Sequence, residues 1–314
     1  MPRIALVTAR AARGTDYDMP LLLAALRATG ADAQEVDWDD AAINWSVFDL
    51  ALLRSTWDYT RRLPEFLAWA ARAARATQLV NPLTAIRWNT DKHYLAELAR
   101  ASVPVVPTRF VEPGDDAADA LASFTQTFPD PPSATSAASA GRSVGDMVVK
   151  PAVGAGSRDA ERHARTARAA IIQHIERLQD AGRSVVLQPY LDRVDADGET
   201  ALVYFNGAFS HAIRKGPLLK CDADATTELY APEAITPRTA SADELAVAAL
   251  ALAALPFTDP LLYARVDLIR ADDGTPRLLE LELVEPSVFV GDADGAAARF
   301  AAAILQRASV SVCR

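Results

Sequence analysis

The chain has 314 residues, of which half are hydrophobic, 23% charged and 7% aromatic, a globular composition that excludes wholesale disorder. Its 32 basic and 41 acidic residues leave a net charge of −9 and a pI near 5.0, which argues against a nucleic-acid coat and against a polybasic membrane anchor. Two cysteines, Cys221 and Cys313, cannot build a disulfide framework or a zinc site by themselves. Only four of the basic residues are lysines, so each lysine position carries information.

In chain order, residues 4–9 form a continuous apolar run, as expected of a strand buried on both faces. The run is too short for a signal peptide, and the apolar stretch 245–257 is broken by Pro256 well short of the ~20 residues that span a bilayer. The expectation is a cytoplasmic protein without membrane contact. Residues 20–29 have helical periodicity and stop at Gly30. A short strand is expected at 33–36, a second buried strand at 48–55, a helix at 64–76 with Pro64 in its first turn, a strand at 78–80 and a helix at 91–100. This alternation predicts an α/β domain over 1–103 with a parallel sheet. No G-x-G-x-x-G follows the first strand, where 9–14 reads ARAARG, so a dinucleotide site is unsupported.

Beyond Pro104 the pattern changes. A helix is expected at 115–128, a low-complexity surface loop at 129–145, a strand at 147–150, a helix at 166–181 and a strand at 185–188. From Leu191 onward the strands read as antiparallel. Residues 199–205 and 208–214 join across Asn206-Gly207, and 262–269 and 278–284 join across Asp273-Gly274. Helices at 242–254 and 296–308 complete the chain, which divides into units 1–103, 104–187 and 188–314.

The last hairpin carries the densest chemistry. Arg265 and Asp267 share one face of their strand, and Glu280 and Glu282 share one face of theirs while the intervening leucines pack inward. With Ile269 set opposite Leu278, Asp267 faces Glu280 and Arg265 faces Glu282. Two unit charges ~4 Å apart repel by ~4 kcal/mol at an effective dielectric of about 20, so three carboxylates on one patch require a cation. Oxygen donors without Cys or His point to Mg2+ or Mn2+ rather than Zn2+. The alternative is a solvated strand face on which Arg265 neutralises one glutamate.

Three further groups are weaker alone. Lys150 ends a buried strand and is followed by Pro151 and the small-residue loop Gly154, Ala155, Gly156, Ser157, able to bring backbone N–H groups to phosphate oxygens or to serve as an ordinary turn. It is not a Walker A loop. Lys92 lies in the first turn of a helix, where a solvated lysine is equally ordinary. At Gln188-Pro189-Tyr190-Leu191 a strand ends in a proline and leaves backbone groups free to bond an adenine, or simply to link two units. His93, His163, His174 and His211 show no metal-ligand spacing, and Cys221 has no histidine partner for a catalytic thiol. Trp38, Trp45, Trp69 and Trp88 are expected in the core or at its rim.

In this order, Lys92, Lys150 with its glycine loop, the Gln188-Pro-Tyr hinge, Gly198-Glu199, Arg214, Asp267 and the closing E-x-E-x-x-x-P of 280–286 resemble the ATP-grasp superfamily, in its glutathione-synthetase-like branch. The resemblance spans residues 80–290, and 1–103 fits the family's pre-ATP-grasp domain. It implies an α/β fold in which two α+β subdomains, a lid over 104–187 and a C-terminal unit over 188–314, clamp ATP. Two departures stand out: Glu282 occupies a position where Asn is usual, and Gly198-Glu199-Thr200-Ala201 replaces the Gly-Asp-x-Arg of glutathione synthetase types, which argues against glutathione-like substrates. Segments 54–59 (RSTWDY), 199–205, 210–215 and 279–287 are similar to the cyclo-ligases that close O-ureido-D-serine into D-cycloserine.

The resemblance implies a role for each matching position. Lys92, Lys150, Gly154, Ala155, Gly156, Ser157, Gln188, Pro189, Tyr190, Leu191 and Glu199 would hold ATP, and Asp267, Glu280 and Glu282 two Mg2+. Lys150, Arg214 and Arg265 would act in catalysis. Arg54, Ser55, Thr56, Trp57, Asp58 and Tyr59 would line the substrate side, where α/β sheets place ligands; Arg10 lies after the first strand and is as readily an ordinary loop residue. The implied activity is an ADP-forming carboxylate–amine ligase working through an acyl phosphate. A two-substrate amino-acid or peptide ligase, and a non-catalytic nucleotide-binding regulator, are the alternatives. A homo-oligomer is suggested only by analogy with the superfamily.

Overall fold

The computed structural model describes residues 1–128, 145–219 and 234–311. The loop expected at 129–145 lies, except for Gly145, outside the described residues, as do Cys221 and Cys313. The N-terminal region contains β1 (Arg3–Thr8), α1 (Asp18–Ala28), β2 (Asp32–Asp37), β3 (Leu50–Ser55), α2 (Leu63–Ala76) and β4 (Gln78–Val80). The strands form a parallel sheet in the order β2-β1-β3-β4. The apolar runs of β1 and β3 follow from cover on both faces. Ile4 and Leu6 pack with Leu22 and Leu26 of α1, while Ala5 and Val7 pack with Phe66 and Trp69 of α2.

The chain then forms α3 (Leu83–Asn89) and α4 (Tyr94–Arg100). The helix expected at 91–100 therefore starts later, and α3 is an element the periodicity did not reveal. Both are only seven residues long, shorter than the window over which a helical stripe can be read. Next come β5 (Arg109–Val111), α5 (Ala117–Thr127), β6 (Met147–Pro151), β7 (Glu161–His163), α6 (Arg168–Asp180) and β8 (Val185–Pro189). They make an antiparallel sheet in the order β5-β8-β6-β7, with α5 and α6 packed on Val149 and Leu187.

The third region holds α7 (Val194–Asp197), β9 (Glu199–Phe205), β10 (Ala208–Lys215), β11 (Ile235–Arg238), α8 (Ala242–Ala253), β12 (Tyr263–Arg270) and β13 (Pro276–Glu282), and α9 (Ala296–Ser311) ends the described chain. The five strands form an antiparallel sheet, β11-β10-β9-β12-β13. Packing crosses the regions. Ala85, Tyr94 and Leu98 of α3 and α4 pack against this third sheet, and Phe300 and Ile304 of α9 return to Ile4, Leu6 and Leu22 of the first. Among the described residues no helix is long and apolar enough to cross a membrane.

The last hairpin pairs Arg265 with Glu282 and Asp267 with Glu280, as the alternation predicts. Nearer the turn the pairing differs: Leu268 faces Leu278 and Ile269 faces Arg277. One extra residue on β13, Leu279, is a bulge that shifts the turn end and leaves the carboxylate row in place. The outer edge of β13 is closed by side chains and loop backbone. Asn89 Nδ2 donates to Leu281 O at 2.7 Å and Asn89 Oδ1 accepts from Leu283 N at 2.7 Å. Leu281 N donates to the Tyr94 hydroxyl at 3.0 Å, and Val106 N donates to Leu278 O at 2.9 Å. These bonds satisfy an edge that would otherwise be open and hold Glu280 and Glu282 in register.

Candidate active site

A cleft of about 580 Å³ runs between the ends of β1 and β3, the loop joining β6 to β7, the end of β8 and one face of the third sheet. Strand pairing decides which side chains reach it, because directly opposed residues point the same way. Lys215 opposes Glu199, Ala201 opposes Asp267, Asp267 opposes Glu280, and Arg265 opposes Glu282. That face carries the charge. Lys150 Nζ lies 2.7 Å from Glu280 Oε1, Lys92 Nζ 3.9 Å from Glu280 Oε2, and Lys215 Nζ 3.3 Å from Asp267 Oδ2 and 3.1 Å from Glu199 Oε2. Arg265 bonds Asp267 through Nε at 2.8 Å and also pairs with Glu282.

The electrostatics separate these carboxyls. Burial opposes the charge on Glu280, but Lys150 and Lys92 outweigh it and hold the group down at about 2. Burial likewise opposes Asp267, yet Arg265 and Lys215 keep it below the usual range. Glu282 goes the other way: burial, with Asp267 and Glu280 close by, pushes it up to about 7 despite Arg265. Glu285, three residues further on, is raised by burial and by Glu282 to about 8.

The positions read as nucleotide-binding come together. Lys92, Lys150, Gly154, Ala155, Gly156, Ser157, Gln188, Pro189, Tyr190, Leu191 and Glu199 all line the cleft, as do Asp267, Glu280, Glu282 and Arg265. Lys92 Nζ donates to Gly154 O at 2.8 Å, so this lysine already touches the glycine loop. Gly156 and Ser157 adopt left-handed backbone, with φ of 64° and 57°.

On the substrate side only part of 54–59 reaches the cleft. Trp57 and Tyr59 line it. Arg54 does not: it is fully buried, donating to Pro286 O at 3.0 Å and to Asp18 Oδ2 at 3.2 Å. Ser55 bonds Thr8 at 2.8 Å beneath the sheet end, and Thr56 is fully buried. Asp58 turns outward to Trp38 Nε1 at 2.9 Å and Arg62 Nη1 at 3.1 Å. Arg10 is exposed, beside Asp37. Arg214 is likewise outside the cleft. It sits on the opposite face of β10 from Lys215, with Nε donating to Asp197 O at 2.9 Å and Nη2 to Ala196 O at 3.0 Å. His211 is buried against Val288 O at 2.8 Å.

The charged cleft residues that escaped the sequence reading are Asp16, Asp18, Arg158, Lys215, Glu285 and Asp292. The scarcity of lysine and the adjacency of Arg214 and Lys215 held a usable signal, since alternation allows only one of the two on the cleft face. Gly198 confirms how closely β10 approaches: its φ is 70°, and a Cβ there would stand 2.6 Å from Lys215 O.

Comparison with known proteins bears on the family and the fold. Residues 4–81 match the family model for the N-terminal domain of D-cycloserine synthetase DcsG. The fold is that of the ATP-grasp ligase PsnB, solved with a phosphomimetic variant of its minimal precursor, Mg and ADP (TM-score 0.61, 18% identity, 98% of this chain and 99% of that one). It is shared too with the D-alanine–D-alanine ligase of Bacillus anthracis complexed with ATP (TM-score 0.63, 15% identity, 99% of each chain). Over 308 residues the chain is 41% identical to the cycloserine biosynthesis protein DcsG of Streptomyces lavendulae, covering 97% of this chain and 98% of that protein. The chain belongs to the DcsG family of ATP-grasp ligases. A crystal structure of D-cycloserine synthetase DcsG aligns with a TM-score of 0.86 at 40% identity, over 97% of this chain and 99% of that one.

An ATP-grasp ligase requires a divalent cation with its nucleotide, and the cleft residues fit one. Asp267, Glu280 and Glu282 offer oxygen donors only, the set that suits Mg2+. Burial first, and then the neighbouring Asp267 and Glu280, displace Glu282 upward; a divalent cation would relieve the second of these.

The histidines need a correction. His163 and His174 do come together, with His163 Nε2 and His174 Nδ1 2.9 Å apart, and Glu161 completes a group whose ligand atoms lie within 4.8 Å of one another. The sequence hid this because His174 arrives from α6, eleven residues beyond His163 on β7. Arg177 Nη2 already holds Glu161 Oε1 at 2.7 Å, so the cluster is internally paired. Burial, with Arg177 and His163 nearby, pushes His174 down to about 3. A base held below its unfolded value near 6.5 is protonated more readily in the unfolded chain. Its share of stability is complete above about pH 6.5 and is lost as pH falls toward 3. Urea unfolding at pH 6.5, 5.5 and 4.5 is expected to show a smaller loss of stability for His174→Gln than for the wild type; equal slopes would remove His174 from the acid response.

Proposed function

We propose that this ATP-grasp ligase is an ADP-forming cyclo-ligase that activates the carboxylate of O-ureido-D-serine, or of a similar small amino-acid-derived substrate, and closes it on its own nitrogen. The supporting observation is the 41% identity to DcsG across both chains, with the phosphate cations, the carboxylate row and the Trp57–Tyr59 wall meeting in one cleft.

The substrate carboxylate attacks the γ-phosphoryl group of ATP; an O–P bond forms and the bond to ADP breaks. Lys92 and Lys150 neutralise phosphate charge as compact cations, and the backbone of 154–157 closes over it. Gln188 to Leu191 bound the adenine end, and Glu199 lies toward the ribose. Two Mg2+, or Mn2+, held by Asp267, Glu280 and Glu282 would supply Lewis-acid neutralisation of the transferring phosphoryl group. Arg265, fixed by Asp267 and by Ser287 O at 2.9 Å, steadies the acyl phosphate. Lys215 replaces Arg214 as the second cation at that point. The ureido nitrogen bonded to the side-chain oxygen then attacks the acyl carbon, phosphate leaves and that nitrogen loses its proton; the carbamoyl group it still carries is lost with water as carbon dioxide and ammonia, which leaves the cycloserine ring. Because nucleophile and electrophile share one molecule, effective concentration replaces a second substrate site.

The test incubates the purified protein with Mg-ATP and O-ureido-D-serine, follows phosphate and identifies the product by mass. Substrate-dependent phosphate with a cyclised product is expected. Silence with that substrate, and turnover instead with an amino acid plus a separate amine, would replace this reading by a two-substrate ligase.

A further inference from the structure

The substrate end of the cleft holds a carboxyl that the phosphate chemistry leaves unused. Glu285 is 8% exposed and lines the cleft three residues past Glu282, between the carboxylate row and the Trp57–Tyr59 wall. Most other carboxyls here have a cation. Asp267 and Glu199 have Lys215, Glu280 has Lys150, Glu282 has Arg265, and Asp16 and Asp18 share Arg54 at 3.6 and 3.2 Å. Glu285 has no ion-pair partner among the described residues, and the Tyr59 hydroxyl is its hydrogen-bonding neighbour. Asp292 also lacks one, but it lies at the more open rim beside exposed Gly291. The backbone of Glu285 is fixed as well, because Trp57 Nε1 donates to Glu285 O at 3.1 Å. Burial holds this carboxyl largely protonated near neutral pH, and a cationic ligand group favours its charged form.

Proximity supports the same partner. Glu282, Lys92 and Arg265 line the same cleft and lie near enough to act on the Glu285 charge, so the carboxyl stands at the edge of the phosphate chemistry. A substrate carboxylate presented to the γ-phosphate beside Arg265 carries its α-nitrogen one carbon away, within the region that Glu285 borders. Resting on the proposed amino-acid substrate, we infer that Glu285 receives the substrate's α-ammonium group, held in position by Trp57 and Tyr59. It is a specificity residue: it selects amino acids over plain carboxylic acids of the same shape.

The experiment compares O-ureido-D-serine with its deaminated analogue by Mg-ATP-dependent phosphate release. The wild type is expected to prefer the amino acid by about 10–100-fold in kcat/KM, the range for a hydrogen bond to a charged group. Glu285→Gln should erase most of that preference, chiefly through KM for the amino acid, with KM for ATP changed less than about threefold. Glu285→Asp, which restores the charge, should recover part of it. A wild type that handles both compounds equally overturns the inference without any variant. So does Glu285→Gln with its preference intact, or Asp16→Asn erasing the preference in its place. Failure of the proposed function reads differently, as wild-type protein that binds ATP but releases no phosphate with either compound.

Discussion

Asp267→Asn is expected to lower substrate-dependent phosphate release by about a thousandfold or more while nucleotide binding persists. Asp267 is 1% exposed at the centre of the carboxylate row, with Lys215 and Arg265 against it. Asparagine keeps an oxygen to accept from Arg265 Nε, so the local geometry survives. What is lost is the negative charge that would balance a divalent cation, and electrostatic stabilisation of a transferring phosphoryl group amounts to several kcal/mol, each 1.36 kcal/mol being tenfold in rate. Measuring initial rates across a Mg2+ titration, with ADP binding followed separately, tests this. A wild-type rate at ordinary Mg2+ would remove Asp267 from the metal site.

The second large effect concerns stability. Asp18, at the start of α1, accepts from Val288 N at 2.7 Å, Phe289 N at 3.0 Å and Val290 N at 2.7 Å, and pairs with the fully buried Arg54. Arg54 in turn donates to Pro286 O. One carboxylate thus ties the first sheet to the loop that follows β13. Asp18→Ala leaves the buried guanidinium with the more distant Asp16, at 3.6 Å, and leaves three N–H groups short of an acceptor. Breaking a buried ion pair from one side costs about 3–5 kcal/mol. Urea unfolding should show a midpoint well below the wild type. Turnover should fall too, because the same loop receives Arg265 Nη1 at Ser287 O. A loss under about 1 kcal/mol would show that Arg54 and the loop are held by other contacts.

The fold class was legible because its signals are local. The apolar runs of β1 and β3, the helix end at Gly30 and the Asn206-Gly207 turn each depend on residues adjacent in the chain. The face shared by Asp267, Glu280 and Glu282 was legible for the same reason, since side chains alternate along a strand whatever its partner. The bulge at Leu279 shifted only the turn-side pairing.

The segment read as the substrate side was less legible. Of RSTWDY, only Trp57 and Tyr59 reach the cleft. Arg54 is drawn inward by an aspartate 36 positions away and a carbonyl 232 positions away, and neither partner can be read from its own neighbourhood.

Sequence alone therefore determined the element types and the carboxylate row, because these rest on periodicity, turn chemistry and spacing within short stretches; the order of motifs was legible as a resemblance to the ATP-grasp superfamily. Tertiary structure decided which of Arg214 and Lys215 faces the cleft, where Arg54 finds its partners and why Glu285 lines the cleft with no ion-pair partner among the described residues. Those outcomes depend on pairing register and on contacts between distant segments, where burial makes every charge seek whichever partner the folded chain brings within reach.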